Sequence, residues 1–140
     1  MQIPKEFHAR LAKEFRFAAD QMRGAQEPVR RVYFFSALHS EISRILNWYW
    51  DRDLVLMHVV LQTAHQQMTA KLQTVRTPFE QKSLETVLES LTQVAGELAN
   101  YIDDRGEGQK LCELLGRVAE LTYASTPHGG YVIEKGIFKI

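Results

Sequence analysis

The chain has one cysteine, four prolines and eight glycines in 140 residues, and each shortage closes off a class of structure. A lone Cys112 rules out an intrachain disulfide, so a reducing, cytoplasmic setting is the default expectation. Cys112 lies in a helical apolar stripe and reads as a small core residue. No apolar run approaches the roughly 20 residues needed to span a bilayer. Lys5, Glu6, His8 and Arg10 interrupt the first residues, which lack the apolar stretch of a secretory leader, so a soluble, unexported protein is expected. Charge of one sign is also missing: 17 basic and 17 acidic side chains cancel, which removes long-range attraction to nucleic acid or an anionic membrane. There is no Gly-rich phosphate loop, no Ser/His/Asp arrangement and no zinc ligand set, so neither cofactor nor metal is expected.

What is present is helical periodicity. From Val29 to Thr77 the chain runs 49 residues without Gly or Pro. As one helix this stretch would be about 74 Å long, whereas a compact domain of this size has a radius of gyration of roughly 14 Å. The chain must therefore fold back at its one irregular cluster, Asn47-Trp48-Tyr49-Trp50-Asp51-Arg52-Asp53. The result is an antiparallel helix pair with an aromatic tip.

Five helical segments follow from the apolar spacing. Ile3, Phe7, Leu11, Phe15, Ala18 and Met22 mark the first, with Pro4 near its start and Gly24 near its end. Gln26-Glu27-Pro28 opens the second, whose stripe is Val32, Phe35, Leu38, Ile42, Ile45 and Tyr49. Asp51 or Asp53 caps the third. Its stripe is Leu54, Met57, Leu61, Ala64, Met68, Leu72 and Val75, and Val55, Leu56, Val59 and Val60 add a second apolar side that predicts a central position. Thr77-Pro78-Phe79-Glu80 is a strong helix start, with a Thr cap, Pro at the first position and Glu placed to reach back. Leu84 to Ile102 form the fourth seam, ended by Asp103 to Gly108. The fifth runs from Gln109 to about Ala124 and stops before Pro127.

The expected fold is all-α: an antiparallel up-and-down bundle of four long helices plus a fifth, spanning 1–126. Residues 127–140 differ in kind. Tyr131-Val132-Ile133-Glu134 and Ile137-Phe138-Lys139-Ile140 flank Lys135-Gly136 as two β-prone runs, which predicts a short extended or hairpin C-terminal arm. An isolated hairpin is marginal in water. Its own bundle or a second subunit must then cover Tyr131, Ile133, Ile137, Phe138 and Ile140.

Charge is uneven along the chain. Residues 1–76 hold 11 Lys/Arg against 7 Asp/Glu, and residues 77–105 hold 2 against 6. Helix faces of opposite sign packing side by side account for this pattern, with a partner-binding acidic face as the alternative.

Among the histidines, His58 and His65 lie two turns apart, about 10 Å along one axis, too far to share a metal ion. Folding back at Trp50 brings His39 between them and predicts a His39–His58 or His39–His65 contact, with Glu41 pointing elsewhere. Asp51-Arg52-Asp53 followed by His58 offers different chemistry. An arginine at a helix start can hold a phosphate, and an imidazole further on can move a proton, which suits metal-independent RNA cleavage.

The spacing of Arg52, Asp53, four residues and His58 resembles the Arg-polar-x(4–6)-His signature of the HEPN superfamily, compact helical bundles that include dimeric toxin ribonucleases. Val32-Tyr33-Phe34-Phe35-Ser36-Ala37-Leu38-His39 is similar to the aromatic second helix of some members. The resemblance implies a ribonuclease or nucleotide-binding protein with Arg52, Asp53 and His58 in its site, and RNA as its ligand. The plain alternative pairs Arg52 with a neighbouring acid and puts His58 in the core.

Trp48, Tyr49 and Trp50 either seal the bundle end, with two of the three inward, or anchor a partner, since Trp and Tyr concentrate in binding hot spots. The leading expectation is a protein that works by self-association, as a homodimer, or by protein–protein interaction. Its contact surfaces are then Trp48, Tyr49 and Trp50 together with the C-terminal arm, and no membrane is involved.

Overall fold

A computed structural model describes residues 1–104 and 108–123 of the chain. These residues form five α-helices: α1 Lys5–Gly24, α2 Pro28–Leu46, α3 Arg52–Thr74, α4 Pro78–Asp103 and α5 Gly108–Tyr123. The fold is an all-α helical bundle, with no strand among the described residues. The expected C-terminal arm, including Tyr131, Ile133, Ile137, Phe138 and Ile140, lies outside them.

Local chemistry sets the helix starts. Thr77 Oγ1 accepts the Glu80 amide at 3.1 Å and donates to Glu80 Oε1 at 3.0 Å, so the glutamate answers the cap hydroxyl. Asp51, not Asp53, caps α3, with Oδ2 accepting the Leu54 amide at 3.1 Å. Prolines occupy the first positions of α2 and α4, where a missing amide hydrogen costs nothing.

The helices close into a ring. α1 packs on α2 and α4, α3 joins α2 to α5, α5 returns to α4, and α2 also touches α4. Arg16 meets Asp103, whereas Arg23 approaches Gly96, so α1 and α4 run in opposite directions. Charge supports the seams: Arg31 of α2 reaches Glu89 at 3.1 Å, and Arg16 of α1 reaches Asp103 at 2.6 Å. The acidic fourth helix thus lies against the more basic first two.

Three expectations need correction. The central helix is α4 rather than α3: ten of its side chains are buried against five on α3. The reason is that the second apolar side of α3 is poorly covered among the described residues, with Val55, Leu56 and Val60 half-buried and Val59 exposed. The apolar stripe of α2 ends at Ile45, because the helix stops at Leu46 and Tyr49 falls in the turn beyond it. Cys112 is half-buried, one position along from the fully buried Leu111.

Leu98→Ala, in the buried seam of α4, is expected to cost about 2–5 kcal/mol in urea unfolding, and Val59→Ala on exposed α3 surface less than about 0.5 kcal/mol. Equal losses would contradict the position given to α4.

Candidate functional site

The reversal between α2 and α3 is built from backbone bonds. The amides of Trp48 and Tyr49 both donate to the Ile45 carbonyl at 2.9 Å, closing the last turn of α2. Asp51 follows with extended backbone, and its carboxylate takes two amides: Leu54 through Oδ2 and Gln2, at 2.9 Å, through Oδ1. The amino nitrogen of Met1 lies 2.9 Å from Asp53 Oδ2. The first residues of the chain are thereby tied to the start of α3. Beneath them the Tyr101 hydroxyl is buried without a hydrogen-bond partner among the described residues, and burial, then the charges of Asp53, Asp51 and Cys112, hold its pKa above the usual phenol value.

This geometry turns the aromatics outward. Trp48 is 79% exposed and Trp50 78%, while Tyr49 leans on Phe7 with ring centroids 5.2 Å apart and remains 41% exposed. The expectation that two of the three pack inward is not met. Met1, Ile3 and Phe7 pack on the core instead, and the Trp48 amide is bonded to the Ile45 carbonyl in the closing turn of α2.

Beside Trp48 lies an arrangement that motif reading passed over. Glu41 is only 5% exposed, yet it carries two arginines: Arg10 Nε is 2.9 Å from Oε1 in an ion pair, and Arg44 Nη1 donates to Oε2 at 3.3 Å. Its position was a signal, since an acid three residues after Leu38 and one before Ile42 sits in the buried stripe of α2. With Phe7, Ile45, Asn47 and Trp48 these groups line a concavity of about 250 Å³.

The histidines form a row across α2 and α3. The His39 ring is 5.2 Å from that of His65 and 6.0 Å from that of His58, so both expected contacts occur. Among the described residues His39 Nε2 is buried without a hydrogen-bond partner, whereas His65 Nε2 lies 3.5 Å from Thr69 Oγ1. Burial first, then the neighbouring His65 and His58, lowers the His39 pKa below 6.5; burial lowers that of His65. Two neutral imidazoles at neutral pH result. No group of three His, Cys, Asp or Glu among the described residues can hold a metal ion.

Arg52 is the first residue of α3, exposed, and makes no ion pair among the described residues. His58 is half-buried against His39. Six residues along a regular helix turn about 240°, so the two do not share a face. Asp53 is engaged by the Met1 amine. The plain alternative also needs amendment, because Arg52 has no acid partner among the described residues and His58 lies at the margin of the core rather than inside it.

The sign of the histidine shifts sets a pH dependence. Both folded-state values lie below the ordinary 6.5, so the unfolded chain binds protons more readily. Stability from these groups is complete above about pH 6.5 and declines as pH falls through the folded values. Urea midpoints are expected to drop between pH 7.5 and pH 5, and His39→Gln should flatten that slope. An unchanged slope in the variant would show that His39 is not a source of it.

Comparison with known proteins adds no relative: no family model matches the sequence, and no curated protein or solved structure matches it either.

Proposed function

We propose that this chain works by association, using the aromatic corner Trp48-Tyr49-Trp50 to engage a second copy or another protein. The observation that carries this reading is the exposure of both tryptophans at the reversal between α2 and α3. Scattered exposed apolar side chains are ordinary, but two exposed Trp within one short connection are costly in water and are the residue type that dominates interface energies.

The magnitudes define the role of the corner. Two tryptophans offering on the order of 150–200 Å² each would yield roughly 8 kcal/mol of gross burial. Association itself costs an estimated 4–15 kcal/mol in lost freedom. The corner therefore anchors an interface that needs further surface, for which Tyr131, Ile133, Ile137, Phe138 and Ile140 are the candidates from sequence. A homodimer is the simplest such assembly.

The HEPN-like ribonuclease reading, with RNA held by Arg52 and cut with His58, draws less support, because the two side chains diverge on α3 and His58 faces His39.

Sedimentation velocity tests the first reading. The parent chain is expected to sediment above monomer mass or to gain mass with a partner. Trp48→Ala with Trp50→Ala should weaken that association at least tenfold while leaving helical circular dichroism unchanged. Truncation after Thr126 should also reduce it. RNA incubated with the purified chain in chelator should stay intact, and cleavage lost in the Arg52→Ala, His58→Ala double variant would reinstate the nuclease.

A further inference from the structure

We propose that the concavity between Phe7, Arg10, Glu41, Arg44, Ile45 and Trp48 is a docking pocket for an acidic peptide segment carrying one large apolar side chain. The proposal rests on the association reading and names the chemistry of its partner. Size comes first. At about 250 Å³ the space is smaller than the roughly 300–1,000 Å³ of small-molecule sites, and suits a single side chain. Its apolar walls are Phe7, Ile45 and Trp48, with the Trp48 ring exposed to close over what enters.

Charge then selects the flanks of that side chain. Two guanidiniums share the single carboxylate of Glu41, leaving one positive charge in surplus. Arg10 binds Glu41 through Nε and Arg44 through Nη1, so both amino groups of Arg10 and the Nη2 and Nε of Arg44 remain uncommitted among the described residues. The side chains of Arg10 and Arg44 are 54% and 70% exposed, so these donors are available at the rim. Paired N–H groups of this kind bind a carboxylate in a bidentate fork. Glu41, nearly inaccessible, holds both arginines in place and so reduces the ordering cost of binding.

The same charges argue against other occupants. A two-fold axis passing through this pocket would set arginine toward arginine and cost energy, so a second copy associates through another part of the corner. Single-stranded nucleic acid needs a track of cations with several stacking rings, whereas one surplus charge beside one pocket makes a point contact.

The test is selection of displayed random 12-residue peptides on the full-length chain, with subtraction on a Trp48→Ala variant. Enriched peptides are expected to place Trp, Phe or Leu within three residues of Asp or Glu. Replacing those acids by Lys should weaken binding at least tenfold, as should Arg44→Glu in the protein. Binding should weaken in high salt and resist competition by polyuridylate. Both substituted residues are largely exposed, and circular dichroism checks that each variant folds. Trp48-dependent peptides lacking acids, indifference to Arg44→Glu, or displacement by polyuridylate would overturn this proposal and leave association intact. Absence of any Trp48-dependent peptide also overturns it, and if the parent chain is in addition strictly monomeric, the broader reading falls too.

Discussion

The buried carboxylate of Asp51 is the contact on which the arrangement of this molecule depends. One oxygen caps α3 through the Leu54 amide, and the other holds the Gln2 amide from the beginning of the chain. A charged acceptor for two backbone donors is stronger than a neutral one, and a nearly inaccessible position keeps water from competing. It therefore fixes where α3 begins and where the first residues lie. Trp48 and Trp50 stand outward in the connection between the Ile45 carbonyl, which closes α2, and this cap.

α4 buries more side chains than α1, α2 or α3. Its seam faces α1, α5 and α2, so each large side chain there is enclosed from several directions. α3 lies between α2 and α5 and carries polar groups into its α2 contact in the form of the histidine row. Imidazoles in such a place lose solvation, and they gain no carboxylate partner among the described residues in return. They lower stability in acid and do not form a metal centre among the described residues. Glu41, on the face of α2 toward α1, is the opposite case: a buried acid compensated by two arginines.

Much of the fold was legible in the sequence for a simple reason. Apolar residues at intervals of three and four, a Thr-Pro-x-Glu start and a long Gly- and Pro-free stretch act over one or two turns, and local rules read them correctly. That His39 meets His58 or His65 followed from the turn position alone, and the folded chain makes both contacts. The rank of α3 did not, because an apolar second face says only that cover is wanted, and which helix provides it depends on all five together. The grouping of Arg10 with Glu41 and Arg44 was missed because Arg10 is far away in sequence and the acid hides within an apolar stripe.

The sequence by itself determined that residues 1–126 form a helical bundle, where its helices begin to within a few residues, with Asp51 and Asp53 both open as the cap of α3, and that it turns back at the tryptophans, since capping and amphipathic spacing are local properties of the backbone and its neighbours. Tertiary structure alone decided which helix lies at the centre, that both tryptophans face water, and that Glu41 is buried between two arginines. Those outcomes depend on competition among distant surfaces for cover, and no single segment carries the result of that competition.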